Sequence, residues 1–273
     1  MVNLCAVQMT SNPDMDANFA WIDKQLSAAS GIKNALVVLP ECFAFFGDSD
    51  KAMLDKAEPL GEGPIQQRIA DLAQKYQCYI VGGTIPIKTE SPDKFAASSL
   101  LFSPNGNRLA DYQKIHLFDV AVVDNTGSYQ ESKHTLAGNQ IVTVDTEIGR
   151  IGMAVCYDVR FPGLFSAMGD IDILVLPAAF TRATGKAHWH TLLRARAIEK
   201  QCFVVGANQC GTHANNRKTY GHSLVYSPWG DVLVERPDDP GLAIAECDLR
   251  ERDTLKQRMP LTEHNRFRSY IVE

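Results

Sequence analysis

Residues 171–208 read IDILVLPAAFTRATGKAHWHTLLRARAIEKQCFVVGAN, and this stretch decides the fold class. Residues 173–180 form the longest clean apolar run in the chain, of strand length and far short of the ~20 apolar residues that span a bilayer. Residues 184–201 follow, rich in Ala, Leu and Arg, all strong helix formers. Residues 202–208 return to an apolar strand pattern. Strand, helix and strand in succession are the unit of α/β proteins.

The same grammar extends outward. Upstream, strands at 141–145 and 150–155 flank a tight turn at Glu147-Ile148-Gly149. Downstream, residues 221–226 and 232–235 flank Pro228-Trp229-Gly230 as a hairpin, and 242–248 read as a further strand. The first half repeats this. A strand at 4–9 precedes a helix at 16–30 with Phe19, Ile22, Leu26 and Ala29 at helical spacing. A continuous apolar strand at 35–40 stops at a proline. Pro64 opens a second helix, in which Ile65, Ile69, Leu72 and Tyr76 share a face. Strands follow at 78–85, 98–102 and 108–113, the last two joined by a turn at Ser103-Pro104-Asn105-Gly106-Asn107. Two mixed sheets packed together with helices outside, in one domain over residues 1–273, account for this pattern. A closed barrel ranks lower, because hairpins interrupt the strand–helix rhythm.

Composition narrows the class of function. A 45% hydrophobic, 22% charged chain is an ordinary globular one, and a formal net charge of −5 lacks the footprint of a nucleic-acid binder. No Lys/Arg run marks an anionic membrane surface. The first residues, Met1-Val2-Asn3-Leu4-Cys5-Ala6, carry no basic segment, so no signal peptide is expected. Seven cysteines, an odd number without CxxC spacing, point to reduced thiols in the cytoplasm rather than a zinc finger or disulfide framework. His188 and His190 are two apart on a helix and do not share a face, so no metal site is expected; no cofactor motif stands out.

Three reactive side chains directly follow strands: Glu41 after 35–40, Lys114 after 108–113 and Cys156 after 150–155. Carboxyl ends of strands line the ligand crevice of α/β folds. A thiol attacks, a carboxylate takes its proton and later activates water, and an ammonium with a backbone N–H stabilises the oxyanion. Each residue also has an ordinary reading. A cysteine at a strand end is commonly a small core residue, and Glu and Lys there are commonly solvated. Spacing alone does not bring 41, 114 and 156 together.

The words around them carry a resemblance. Leu39-Pro40-Glu41, then Tyr112-Gln113-Lys114-Ile115-His116-Leu117-Phe118-Asp119, then Val155-Cys156-Tyr157-Asp158-Val159-Arg160-Phe161-Pro162 resemble, in order, the three signatures of the nitrilase (carbon–nitrogen hydrolase) superfamily. The resemblance runs from the first strand to about Asp248. It implies a four-layer α-β-β-α sandwich, a homodimer, and a Glu–Lys–Cys centre needing no cofactor. Glu41 is then the general base, Lys114 the oxyanion-stabilising cation and Cys156 the nucleophile, with the Tyr157 N–H completing the oxyanion hole. Glu131, in Tyr129-Gln130-Glu131-Ser132-Lys133, matches the family's second glutamate, which supports the lysine and positions the amide. Alone, it reads as a loop surface charge.

Phe180-Thr181-Arg182-Ala183-Thr184-Gly185, Leu193-Arg194-Ala195-Arg196-Ala197-Ile198-Glu199, Asn208-Gln209-Cys210-Gly211 and Tyr220-Gly221-His222-Ser223 resemble the Nit branch. Within it, they are closer to members that hydrolyse deaminated glutathione, a metabolite-repair reaction, than to the ω-amidases of α-ketoglutaramate. Other amidases, carbamoylases and nitrile-acting relatives are more distant. The implied partner is a small amide with an α-keto acid moiety, with no role for nucleic acid or membrane. Such a substrate needs a cationic clamp. Arg160 is the candidate, its alternative being a salt bridge to a helix carboxylate; Phe180 and Thr181 are expected to line the pocket. A non-catalytic binding protein of the same fold is disfavoured by the intact Glu41, Lys114 and Cys156. One departure stands out: Gly163 occupies a position where the family usually has Glu, which weakens the short helix expected at 164–169.

Overall fold

The computed structural model describes residues 1–47, 50–121 and 128–271. In chain order the first half runs β1 (Val2–Gln8), α1 (Met15–Ala28), β2 (Leu36–Val38), α2 (Asp50–Leu54), α3 (Pro64–Tyr76), β3 (Tyr79–Val81), β4 (Ile85–Lys88), β5 (Phe95–Phe102) and β6 (Arg108–Gln113). A small hairpin, β7 (Asp119–Ala121) with β8 (Ser128–Gln130), and a short β9 (Thr135–Leu136) lead to the second half. That half runs β10 (Thr143–Thr146), β11 (Gly149–Met153), α4 (Pro162–Ala167), β12 (Ile173–Ala178), α5 (Arg182–Lys200), β13 (Phe203–Asn208), β14 (Cys210–Thr212), β15 (Lys218–Tyr220), β16 (Ser223–Tyr226), β17 (Val232–Arg236), β18 (Gly241–Cys247), α6 (Arg250–Arg258) and α7 (Leu261–His264).

Two sheets result. The first has the order β18-β1-β2-β3-β5-β4, with β6 and β9 also on β5; the second has the order β10-β11-β12-β13-β16-β17. In each, three parallel strands form the centre: Leu4, Leu36 and Tyr79 are in register in one, Ile151, Ile173 and Phe203 in the other. Antiparallel strands flank both centres.

Strand alternation builds the layers. Cys5, Val7, Val37, Leu39 and Ile80 pack with Phe19, Ile22 and Leu26 of α1 and with Ile65, Ile69 and Leu72 of α3. Their neighbours Leu4, Ala6, Leu36, Val38 and Val81 point the other way and join the core that includes Ile151, Met153, Leu174 and Val205 of the second sheet. Phe165 of α4 and Trp189, Leu193 and Ala197 of α5 belong to this second core and cover the far side. The result is the expected helix–sheet–sheet–helix sandwich. Truncating fully buried Leu193 to Ala is expected to cost about 2–5 kcal/mol.

Several boundaries shift by a few residues, and three differences from expectation bear on the site. The strand expected over 78–85 is two strands, β3 and β4, split at Gly82-Gly83-Thr84. Gly83 has φ +42°, and a Cβ there would lie 2.0 Å from the Pro40 carbonyl oxygen, so the backbones meet too closely for any side chain. The split sets the Thr84 hydroxyl under the loop after β2, where it accepts the Cys42 N–H at 2.9 Å. Helix α5 begins at Arg182 rather than residue 184 because Thr181 caps it, its Oγ1 accepting the Thr184 N–H. Helix α4 does form despite Gly163, but only over six residues, with Pro162 in its first turn.

Candidate active site

The loops after β2, β6, β11 and β12 meet around one cavity. Glu41, Lys114, Glu131, Cys156, Tyr157, Arg160, Phe180 and Thr181, all named from the sequence, line it. Residues separated by more than a hundred positions are thereby brought together.

Lys114 is the hub. Its side chain is 2% exposed, and its Nζ donates to Glu41 Oε1 at 2.8 Å and to Glu131 Oε2 at 2.8 Å. Its place is set by Gly138, whose N–H bonds the Lys114 carbonyl and where a Cβ would lie 2.2 Å from the Gln113 carbonyl oxygen. Glu41 Oε2 accepts the Ala179 N–H at 2.8 Å, from the end of β12. Gln209 holds the Glu41 loop by donating to the Glu41 carbonyl at 2.9 Å. Glu131, in a single 3-10 turn, also accepts the Phe118 N–H at 2.7 Å. Every charged oxygen therefore has a partner, as burial demands.

Two carboxylates and one ammonium leave a buried net negative charge, and the proton affinities follow from it. Burial pushes the Lys114 ammonium down, but the Glu131 and Glu41 charges outweigh it and hold its pKa well above the ordinary value. Burial likewise works against an ionised Glu41, yet the Lys114 charge and hydrogen bond prevail and keep its pKa below the ordinary 4.5. Glu131 is raised, by burial and by the Glu41 charge. Cys156 is raised well above a free thiol, by burial first and the Glu41 charge second. The resting pair is a neutral thiol beside an ionised carboxylate.

Cys156 sits on a sharp turn. Its φ is +49°, a left-handed value costing a non-glycine residue on the order of 1–3 kcal/mol. It opens a 3-10 turn over Cys156–Arg160, and Tyr157 follows it where backbone donors lack intrahelical partners. Asp158 holds this turn. Fully buried, it accepts the Val155 N–H at 2.9 Å and the Tyr112 hydroxyl at 2.7 Å through Oδ2, and the His116 N–H at 3.0 Å through Oδ1. It thus ties the Cys156 turn to both sides of Lys114. Its role was not read from the sequence, although its place two residues after the cysteine was a signal.

Arg160 faces the cavity with its guanidinium 5.3 Å from the Phe180 ring centre and 5.7 Å from that of Tyr157. Its polar partner is His188 Nδ1 at 3.2 Å, and among the described residues no salt bridge joins it to a helix carboxylate. Phe180 is fixed by Asn208, whose Oδ1 accepts its N–H at 3.0 Å. The cavity also takes in Cys42, Phe118, Tyr129, Thr184 and Arg217, which sequence reading missed. Arg217 lies on a loop between β14 and β15, where nothing in the pattern marks it.

One set among the described residues has the chemistry to hold a metal ion: His190, His222 and Glu235, with ligand atoms within 4.8 Å of one another. None of the three lines the cavity. Without a metal they already satisfy each other, Glu235 Oε1 lying 2.9 Å from His190 Nε2 and 2.5 Å from His222 Nδ1. His188 and His190 have different partners, as their two-residue spacing requires.

Comparison with known proteins places the molecule. Residues 3–257 match the carbon-nitrogen hydrolase family. The chain is 40% identical to a deaminated glutathione amidase of Yersinia enterocolitica, over 99% of this chain and 95% of that protein. It is 38% identical to a protein of the same description from a Synechocystis strain, over 96% of this chain and 97% of that one. The crystal structure of Saccharomyces cerevisiae Nit3, a member of branch 10 of the nitrilase superfamily, superposes with a TM-score of 0.85 at 30% identity, covering 97% of each chain. This chain belongs to the carbon–nitrogen hydrolase family. It is an amidase of the Nit branch, and its small-molecule substrate carries an amide carbon–nitrogen bond.

Proposed function

We propose that this enzyme hydrolyses deaminated glutathione through a thioester on Cys156. The observation that carries the reading is Cys156 in one cavity with the hydrogen-bonded set Glu41, Lys114 and Glu131. The Cys156 thiol attacks the amide carbonyl as Glu41 takes its proton. Lys114 and the Tyr157 N–H hold the oxyanion of the tetrahedral intermediate. Glu41 passes the proton to the departing amine, leaving the acyl group on sulfur. It then takes a proton from water, the hydroxide attacks the thioester, and the proton returns to the Cys156 sulfur. Glu131 acts through Lys114, fixing the ammonium against both its own carboxylate and that of Glu41.

Arg160 supports the substrate assignment. Its planar fork, without a carboxylate partner among the described residues, suits the α-keto acid end of the acyl group, with Phe180 and Thr181 walling it. The relatives named above support the same reading. The catalytic unit is the whole chain as one domain, working in the cytoplasm as a homodimer. All seven cysteines being free supports a reducing compartment. Exposed Ile198, Trp229, Val232 and Leu233 supply apolar surface for a second copy. Among the described residues no helix is long and apolar enough to cross a membrane.

The test is a steady-state comparison of deaminated glutathione, α-ketoglutaramate and glutathione. The largest kcat/KM is expected for deaminated glutathione. A larger value for α-ketoglutaramate reassigns the enzyme as an ω-amidase, and turnover of none of them overturns the reading.

A further inference from the structure

Arg217 is a second cation in the active-site cavity, and the mechanism above leaves it unused. Its guanidinium lies 5.0 Å from the Tyr129 ring centre and 5.5 Å from that of Phe46, whereas Arg160 lies against Tyr157 and Phe180. The two arginines therefore stand on different aromatic walls of one site. Arg217 Nη2 donates to the Ala179 carbonyl at 2.7 Å. Among the described residues its buried Nε has no hydrogen-bond partner and no carboxylate pairs with it. A buried guanidinium N–H without an acceptor is costly to keep, and an anionic ligand is the natural acceptor.

The side of the scissile bond follows from its neighbours. The Ala179 carbonyl that Arg217 holds belongs to the residue whose N–H holds Glu41 Oε2. Glu41 delivers the proton to the departing nitrogen, so the surroundings of Glu41 are those of the leaving group. Arg160 instead follows Tyr157 on the nucleophile turn, on the acyl side.

We propose that Arg217 forms an anion subsite for the leaving group, so that the preferred substrate carries one carboxylate on each side of its amide. This rests on the deaminated-glutathione reading and deepens it. Deaminated glutathione fits both cations: its α-keto acid carboxylate belongs to the acyl part and its glycine carboxylate to the amine product. A primary amide such as α-ketoglutaramate releases ammonia and leaves Arg217 without a partner.

The experiment uses three substrates: deaminated glutathione, the same molecule with its glycine carboxylate converted to a carboxamide, and α-ketoglutaramate. The wild-type enzyme is expected to favour the free acid over the carboxamide by about 10- to 100-fold in kcat/KM, mostly through KM. Arg217→Gln should remove most of that preference, and Arg217→Lys should retain part of it, since lysine keeps the charge but not the fork. A wild-type enzyme that treats acid and carboxamide alike overturns the subsite with no variant needed. Equal losses on all three substrates in Arg217→Gln make Arg217 a support for Ala179 and nothing more. If the wild type hydrolyses none of the three, the deaminated-glutathione reading itself fails and the subsite falls with it; turnover without the acid preference sinks the subsite alone.

Discussion

The two halves of the molecule bring different kinds of charge to the same cavity. The first sheet and the segment after it contribute Glu41, Lys114 and Glu131, and these are locked to one another, with the ammonium buried and doubly paired. The second sheet and its loops contribute Cys156, Arg160 and Arg217, and neither arginine has a carboxylate partner among the described residues. The difference separates two tasks. A buried charge compensated inside the protein keeps its position and proton affinity whether or not substrate is present. A cation left uncompensated at a cavity wall waits for charge on the substrate. The nucleophile belongs to the second half and its base to the first, so chemistry occurs only where the halves meet.

The severest break of this arrangement removes the meeting point. Cys156→Ala is expected to abolish hydrolysis, a loss of roughly 10⁴-fold or more, with the far-UV circular dichroism unchanged. In wild type, mass spectrometry of trapped enzyme should find the acyl group on Cys156. An adduct on Cys42, the other thiol lining the cavity, would break the assignment.

Glu41→Gln comes next, with an expected loss of about 10³-fold in kcat, within the range of general-base effects. The pH profile sharpens the point. Glu41 works ionised and its pKa lies below 4.5, so the acid limb of kcat/KM should fall below that value in free enzyme. The sign for stability agrees. A carboxylate with a depressed folded pKa adds stability above its unfolded pKa, lost as pH falls through the folded pKa. Glu131 has the opposite sign: raised in the folded state, it costs stability once pH climbs past its ordinary value. An acid limb above 4.5 would point instead to Glu131, whose carboxyl is held above its ordinary value by burial and the Glu41 charge.

Lys114→Met tests the locked half by itself. It leaves two buried carboxylates facing each other, and breaking a buried pair in this way costs about 3–5 kcal/mol. It also removes an oxyanion donor, worth about 10²- to 10³-fold in kcat. Urea denaturation of Lys114→Met and of Lys114→Met with Glu131→Gln separates the effects. The double variant should recover part of the stability and none of the activity. Recovery of both would show that Lys114 serves the fold alone.

Much of this was legible in the chain. The α5 run between two apolar strands announces a helix-covered sheet because its periodicity is strong and its neighbours are continuous apolar runs. Glu41, Lys114 and Cys156 could be picked out because each directly follows a strand within a recognisable word. What escaped were tertiary facts. The break at Gly83 is caused by the Pro40 carbonyl, which lies 43 residues earlier and beside it only after folding. Asp158 joins two loops through four hydrogen bonds, and no local pattern counts bonds to Tyr112 and His116. Arg217 sits in an irregular polar loop, where an arginine is ordinarily solvated, and its cavity position depends on how that loop folds over Tyr129 and Phe46.

The gentlest test falls on the unpaired half. Arg160 is partly exposed, so solvent screens it and the lower end of the range for a charge-assisted pair applies, about 2 kcal/mol or roughly 30-fold in kcat/KM. Arg160→Ala is therefore expected to lower kcat/KM about 30-fold for an α-keto acid amide and much less for a neutral amide of equal length. Arg160→Lys should fall between, because lysine retains the charge but cannot present two parallel N–H groups to a carboxylate. The His188 contact offers a control. If Arg160 served only to brace α5 through His188 Nδ1, then His188→Ala would reproduce the Arg160→Ala profile and both substrates would fall by one factor. A loss confined to the substrate with the carboxylate, and absent from His188→Ala, assigns the guanidinium to recognition and keeps the division between the paired first half and the open second half intact.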